Sequence, residues 1–371
     1  MKRGSIAIMG CLLLLGISSQ AIARDANLTA YPIVFAHGMG GFDDILGYDY
    51  WGDDYGVFVL DPCDGFLETT CNFDINSAQK SFVASVTPLQ SSEQRGYELT
   101  QDILGYMATS GAAYVNIVGH SQGGIDLRKA AKSLYTNKGR TVVKYGISVS
   151  SPHRGSPIAK YVLQLKPGVT SVLAALADYY GSIVYGAGND AMAALKQLVY
   201  DDYSSTDGVT TGMKAFNTNY PVSATYEARA RSFITAQEGL NMNPALYLVQ
   251  AGWMNIDGDG YATTDADGDG AEGIGDGSRT DEDDDGLVGI NSAQMGYRLQ
   301  HSECFGCLDY VYEKTDTGYC SALNAPTSIM MTSHSWVIPQ DHLDVVGVPP
   351  DTFDEMEFYA ALTDYIADNG Y

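Results

Sequence analysis

The chain alternates between short apolar runs and stretches whose apolar residues recur at helical spacing. Apolar runs rich in β-branched residues predict buried strands, and they lie at Tyr31–Ala36, Tyr114–Val118, Lys144–Ser150 and Leu246–Ala251. Helical periodicity predicts helices over Ser91–Ser110, over several pieces of Pro157–Tyr200, and over Asp351–Asn369. Ser91 and Gln94 suit a capping box at the start of the first of these, and Asp351 suits the N-cap of the last.

The strand at Tyr114–Val118 runs directly into a tight glycine-rich turn. Gly119-His120-Ser121-Gln122-Gly123 has the G-x-S-x-G pattern, and a helical pattern follows it from Gly124 to Leu134. A serine on a sharp strand-to-helix turn projects its hydroxyl away from the sheet, and the helix N-terminus favours negative charge beside it. We therefore predict Ser121 as a nucleophile. A purely structural glycine turn is the alternative.

A second glycine-rich turn follows the first strand. His37-Gly38-Met39-Gly40-Gly41-Phe42 comes directly after Tyr31–Ala36. Such a turn lets backbone N–H groups face a pocket, where an acyl-transfer enzyme builds its oxyanion hole. The motif alone fits a simple turn equally well.

Several of these segments together resemble secreted bacterial triacylglycerol lipases of the Pseudomonas/Burkholderia type. The similar segments are His37 to Trp51, Ser91 to Leu99, Val115 to Ser121, Ser151 to Ser156, and short islands near residues 285 and 342. The resemblance implies an α/β-hydrolase fold: a mostly parallel central sheet with helices on both faces and a helical lid region. It also implies an oxyanion hole made by the backbone N–H groups of Met39 and Gln122.

A serine nucleophile needs a histidine base and a carboxylate that orients the base, in the chain order Ser, acid, His. The resemblance assigns Asp285, in Asp285-Gly286-Leu287-Val288-Gly289, as the acid and His342 as the base. From order alone Asp283, Asp284, His301 and His334 remain alternatives. Asp285 and His342 are 57 residues apart, which is a much longer spacing than in the lipase family that the chain resembles.

The N-terminus and the net charge restrict location and partners. Lys2 and Arg3 precede an apolar stretch from Ile6 to Ile17 and a small-residue site at Ala21-Ile22-Ala23. This pattern predicts a signal peptide over residues 1–23 and export, either to the periplasm or out of the cell. No later apolar stretch predicts stable membrane insertion. The formal net charge of −24 argues against nucleic acid and anionic membrane surfaces as partners.

An acidic segment indicates calcium. Residues 257–285 contain twelve acidic side chains. Among them Asp265, Asp267 and Asp269 have the D-x-D-x-D-G spacing of a calcium loop, and Asp276 occupies its twelfth place. A solvated acidic loop is the alternative. The resemblance adds a structural Ca²⁺ near the histidine loop, held by Asp344, by carbonyl oxygens at Val348 and Thr352, and by an upstream aspartate. We assign that aspartate to Asp257, with Asp265 as the alternative.

Five cysteines remain after the signal peptide, and export permits disulfides. Cys63 and Cys71 are the natural pair, whereas the sequence leaves open which two of Cys304, Cys307 and Cys320 pair. We therefore expect one hydrolase domain over residues 24–371. It carries a lid region at about 157–200, the acidic insertion at 257–285 and a cysteine-containing insertion at about 302–335.

The predicted function is hydrolysis of carboxylic esters of acylglycerols at a lipid–water interface by a secreted monomer. The enzymatic alternatives are an esterase for soluble short-chain esters and a polyester depolymerase. A secreted calcium-binding interaction protein on an inactive hydrolase scaffold is the non-enzymatic alternative. The resemblance adds a dedicated foldase as a partner, although nothing in the sequence itself indicates dependence on one.

Overall fold

The computed structural model describes most of the chain in separate stretches. These are residues 26–41, 78–165, 168–172, 174–175, 188–199, 212–237, 241–244, 246–247, 284–304, 307–316, 318–324, 337–347 and 353–371. Several predictions lie outside the described residues. They concern the signal peptide, the Cys63–Cys71 pair, the alternatives Asp283 and His334, and the calcium ligands Asp257, Asp265, Asp267, Asp269, Asp276, Val348 and Thr352.

Among the described residues, seven strands form one sheet. They are β1 (Ile33–Ala36), β2 (Ser81–Ala84), β3 (Val115–His120), β4 (Val143–Val149), β5 (Glu227–Phe233), β6 (Tyr297–Ser302) and β7 (Tyr310–Lys314). Their order is β2-β1-β3-β4-β5-β6-β7. Strands β1 to β6 pair in parallel, and β7 runs antiparallel to β6. The carboxyl ends of the parallel strands therefore meet at one edge of the sheet.

In the described part of the chain, seven α-helices accompany the sheet. They are α1 (Ser92–Ser110), α2 (Gln122–Lys138), α3 (Pro157–Gln164), α4 (Ala191–Gln197), α5 (Met213–Asn219), α6 (Ile290–Ala293) and α7 (Glu355–Asp368). A 3₁₀ turn spans Asp344–Val346. Within the stretches that the structure describes, no helix has both the length and the apolar character that a membrane span requires.

The sheet separates two apolar cores because neighbouring residues of a strand point to opposite faces. Phe35 and Val118 belong to the core that α7 covers with Phe358, Leu362 and Ile366. Their chain neighbours belong to the other core, which α1 and α2 cover; it includes Val34, Ile117, Leu99, Ile103, Leu127 and Leu134. Helices on both faces of a mostly parallel sheet confirm the predicted α/β class.

Most predicted elements are present, with three corrections. Helix α1 spans the predicted range and Ser91 caps it, but the Gln94 side chain donates to Glu98 instead of returning to the Ser91 N–H. The N-cap of α7 is Asp354 and not Asp351, because the Asp354 carboxylate accepts the Glu357 N–H at 2.8 Å.

The third correction concerns the strand predicted at Leu246–Ala251. Its described residues, Leu246 and Tyr247, are helical, and the Tyr247 N–H donates to the Asn243 carbonyl. An apolar run of this length does not by itself distinguish a strand from a buried helical segment.

Candidate active site

Ser121 occupies a strained turn between β3 and α2. Its φ of 52° and ψ of −126° are unusual for a residue with a side chain. The turn is tight because a Cβ at Gly119 would lie 2.5 Å from the backbone of Gly123. A Cβ at Gly123 would lie 2.2 Å from the Ala36 carbonyl oxygen. The two flanking glycines are therefore required for α2 to begin this close to β1 and β3.

The structure brings Ser121, His342 and Asp285 together. The His342 Nε2 atom lies 2.9 Å from the Ser121 Oγ, and its Nδ1 lies 2.8 Å from the Asp285 Oδ2. Asp285 and His342 are 1% and 3% exposed. A carboxylate only accepts, so Nδ1 carries the proton and Nε2 is free to accept the hydroxyl proton of Ser121. This arrangement can raise the nucleophilicity of a serine hydroxyl.

The Asp285 carboxylate is surrounded by donors. Its Oδ1 accepts the N–H groups of Leu287 and Val288 at 3.1 and 2.8 Å. Its Oδ2 accepts the Thr235 hydroxyl at 2.8 Å in addition to His342. The alternative acid Asp284 is directed elsewhere, because its Oδ1 accepts the Gly286 N–H at 2.6 Å.

A second histidine packs against the first. The rings of His120 and His342 have centroids 4.8 Å apart, and His120 Nε2–H donates to the His342 carbonyl at 3.0 Å. Burial, with the nearby His342 as a smaller cause, holds the pKa of His120 well below its usual value. His120 is therefore neutral and can support the His342 segment without adding a competing charge.

The glycine turn after β1 is held by a buried arginine. Arg95 Nη2 donates to the His37 carbonyl at 2.5 Å, and Nη1 donates to the carbonyls of Thr87 and Pro88 at 3.0 and 3.1 Å. Its Nε donates to Asp126 Oδ2 at 2.7 Å, and neither side chain is exposed. Burial raises the pKa of Asp126 to about 6, although Arg95 opposes the rise.

The two predicted oxyanion donors belong to the turn after β1 and to the start of α2. Met39 follows the carbonyl that Arg95 holds, and its side chain packs against the apolar cluster around Ile125 and Phe216. Gln122 is the first residue of α2, where backbone N–H groups have no partner within the helix. Its side chain is directed to the Gln90 carbonyl at 2.8 Å, which fixes the residue.

Other candidate residues have structural partners. His301 Nε2 lies 2.9 Å from Asp309 Oδ2, so His301 is paired away from Ser121. His153 lies 2.9 Å from the Ser148 hydroxyl, and burial holds its pKa well below the usual value.

The structure selects one of the cysteine pairings that the sequence left open. Cys304 and Cys307 form a disulfide, whereas Cys320 is a buried thiol.

Of the predicted calcium ligands, Asp344 is the one that the structure describes. Asp344 is buried, and its Oδ2 accepts the Asp341 N–H at 2.9 Å. Among the described residues there is no group of three or more His, Cys, Asp or Glu side chains that could hold a metal ion. The other predicted calcium ligands lie outside the described stretches, so calcium binding stays a prediction.

Three residues at this site were missed from sequence: His120, Ser150 and Thr235. His120 directly precedes Ser121 in the G-x-S-x-G motif, and this position next to the predicted nucleophile was a signal for it. Ser150 and Thr235 follow the ends of β4 and β5. The signal was weak: Ser150 directly follows an apolar strand, whereas Thr235 lies two residues beyond a strand of alternating polar and apolar residues.

The structure has the α/β-hydrolase fold, with Ser121 on the sharp turn between β3 and α2. No protein-family model matches the chain. Among curated proteins it is similar to the triacylglycerol lipase of Burkholderia plantarii, with 30% identity over 223 residues, covering 56% of this chain and 53% of that protein. The triacylglycerol lipase of Vibrio cholerae serotype O1 is 30% identical over 209 residues, covering 56% and 59%.

A solved structure supports the same fold. Lipase 1 from Pelosinus fermentans superposes with a TM-score of 0.50 at 14% identity, covering 91% of this chain and 99% of that chain. The chain spans little more than half the length of the curated relatives it matches. The similarities to the curated proteins confirm the resemblance to bacterial triacylglycerol lipases.

Proposed function

We propose that the protein hydrolyses carboxylic esters, and that its substrates are acylglycerols. The observation that carries the proposal is the hydrogen-bonded series Ser121–His342–Asp285, at 2.9 and 2.8 Å, on a nucleophile elbow. The similarity to proteins named triacylglycerol lipase supports the substrate class. Hydrolysis of soluble short-chain esters would use the same residues.

In the proposed mechanism His342 accepts the Ser121 proton while Oγ attacks the ester carbonyl carbon. Asp285 holds the imidazole tautomer and stabilises the imidazolium that forms. The backbone N–H groups of Met39 and Gln122 stabilise the oxyanion. His342 then protonates the leaving alcohol, and water attacks the acyl-enzyme with His342 again as the base.

The described part of the predicted lid region has apolar side chains both at the surface and packed beside Met39. Val169 and Val172, in the predicted lid region, are 48% and 59% exposed. Helices α3 and α4 belong to the same region, and Ala159 and Leu195 pack in the apolar cluster that also contacts Met39.

The first test compares the intact protein with Ser121→Ala on emulsified long-chain triglyceride and on a soluble butyrate ester. We expect fatty acid release from the emulsion that the substitution abolishes. Asn137→Ala, an exposed change at the far end of α2, is the control and retains release. Activity on butyrate alone would assign a soluble-ester esterase. Wild-type turnover by Ser121→Ala would contradict the proposed nucleophile.

A further inference from the structure

A pair of buried hydroxyls continues the Ser121–His342–Asp285 series into the protein interior. Thr235 and Ser150 are 1% and 0% exposed. The Thr235 Oγ1 atom lies 2.8 Å from Asp285 Oδ2 and 2.6 Å from the Ser150 Oγ. Five side chains from five separate segments are therefore joined by hydrogen bonds of 2.6 to 2.9 Å.

Proton counting fixes the direction of every bond in this series. A hydroxyl has a single proton to donate. Thr235 donates its proton to Asp285, because a carboxylate oxygen can only accept. The contact between Ser150 and Thr235 must then run from the Ser150 hydroxyl to Thr235 Oγ1. Each hydroxyl thus has one allowed orientation: Ser150 donates to Thr235, and Thr235 donates to Asp285.

The backbone around Thr235 joins the acid segment to the base segment. The Ala236 N–H donates to the Ile338 carbonyl at 3.1 Å, and the Ile338 N–H donates to the Ile234 carbonyl at 2.8 Å. On the other side the Gln237 N–H donates to the Asp284 carbonyl at 2.9 Å. The segment from Ile234 to Gln237 therefore lies between the residues that precede His342 and the residue that precedes Asp285.

Ser150 adopts an unfavourable backbone conformation at this position. Its φ is 53°, and within the described stretches only Ser121 shares a positive φ among residues other than glycine. Such a conformation is energetically costly for a residue with a side chain and persists where the surroundings require it. The Ser150 N–H donates to the carbonyl of Phe233, the last residue of β5, at 3.1 Å. In this conformation the Ser150 hydroxyl is directed to Thr235.

We propose that Thr235 and Ser150 are positioning residues that hold the Asp285 carboxylate in its productive orientation towards His342. The inference rests on the proposed function, because it assigns these hydroxyls to the same reaction. Thr235 acts directly on Asp285 Oδ2, the oxygen that also accepts His342 Nδ1–H. Ser150 acts only through Thr235. Neither residue contacts the Ser121 hydroxyl.

The test measures how fast Ser121 is phosphonylated by a p-nitrophenyl alkylphosphonate, from the release of p-nitrophenol. This rate depends on the activated serine and needs no ester turnover. Thr235→Val keeps the shape and removes the donor, and we expect phosphonylation to become at least roughly tenfold slower, since the lost hydrogen bond is one to a charged group. Thr235→Ser should recover most of the rate.

Two further comparisons separate positioning from a general structural effect. On p-nitrophenyl butyrate, Thr235→Val should lower kcat while KM changes less than about twofold, because the loss arises in the transition state. Thr363→Val removes a hydroxyl that donates to the Tyr359 carbonyl at 2.9 Å in α7. It is equally buried and should leave the phosphonylation rate unchanged.

The role of Ser150 is tested by coupling. Ser150→Ala alone should slow phosphonylation by a smaller factor, and it should add nothing in a Thr235→Val background. Equal rates in wild type and Thr235→Val, or additive effects of the two substitutions, would overturn the inference. Labelling of Ser121→Ala at the wild-type rate would instead contradict the proposed function. If Thr235→Val does not fold, Thr235→Ser and Ser150→Ala decide the question by the same measurement.

Discussion

The Asp285 Oδ2 atom lies 2.8 Å from His342 Nδ1 although 57 residues separate the two in the chain. The backbone reinforces the contact, because the His342 N–H donates to the Asp285 carbonyl at 2.9 Å. The chain between them includes β6 and β7, so the sheet is extended by two strands without separating the acid from the base.

Replacing the acid should remove nearly all activity. Asp285→Asn favours the wrong imidazole tautomer, and we expect kcat to fall by about 10³–10⁴, as for the equivalent change in serine proteases. The measurement is turnover of p-nitrophenyl butyrate. Asp284→Asn is the matched control: its side chain bonds the Gly286 N–H, so a much smaller loss is expected. Equal losses in the two variants would contradict the assignment of Asp285.

The elbow should not tolerate a methyl group at Gly123. In Gly123→Ala the new Cβ would lie 2.2 Å from the Ala36 carbonyl oxygen, so β1 and α2 would have to separate. We expect destabilisation of about 3 kcal/mol or more, from overpacking together with backbone shifts, measured by urea unfolding. Gly105→Ala is the control, because a Cβ there meets nothing within 4 Å. It should be neutral or stabilising by about 0.5–1 kcal/mol.

Arg95 should serve both stability and catalysis. Arg95→Met leaves the Asp126 carboxylate buried without its partner, and we expect a loss of about 3–5 kcal/mol in the free energy of unfolding. Adding Asp126→Leu should restore most of that stability. It should not restore kcat, because the His37 carbonyl still lacks its donor. Recovery of kcat in the double variant would show that the arginine does not position the turn after β1.

Glu227 should make stability fall as pH rises. Burial raises its pKa from 4.5 to about 8, with the Ser223 N–H and Arg128 opposing the rise. Between these values the folded state binds more protons than the unfolded state. The stability that Glu227 contributes is therefore fully present below pH 4.5 and is lost as the pH rises towards 8. The free energy of unfolding falls by at most about 1.4 kcal/mol per pH unit.

Glu227→Gln should remove that slope in urea unfolding between pH 5 and 8. The difference between wild type and variant isolates Glu227 from the other titrating groups. Parallel curves for the two proteins across this range would refute the expectation.

Calcium removal should lower thermal stability if residues 257–285 bind the ion. A ligand that binds only the folded state stabilises by RT ln(1 + [L]/Kd), so chelation should lower the Tm of wild type. Replacing Asp265, Asp267 and Asp269 with asparagine should abolish the response to chelator. The same Tm with chelator and with added Ca²⁺ would argue for a solvated acidic loop instead.

The sequence by itself determined the local features of this protein. β-branched runs gave β1, β3 and β4, the 3.6-residue period gave α1 and α7, and the G-x-S-x-G pattern gave the Ser121 turn. These features depend on neighbouring residues, because periodicity, capping and turn sterics act over a few positions. The predicted N-cap of α7, Asp351, was wrong because several acidic residues lie close together there, and only the backbone geometry selects Asp354.

Tertiary structure decided which distant residues meet. Nothing local relates Thr235 to Asp285 or Ser150 to Thr235, because their contacts depend on the order in which parallel strands lie side by side. Parallel pairing of β3, β4 and β5 brings the ends of three strands to one edge of the sheet, and the choice between Asp284 and Asp285 follows from how the loop there turns. A one-residue change of register would exchange the two faces of a strand, so this information resides in the packed sheet and not in any single segment.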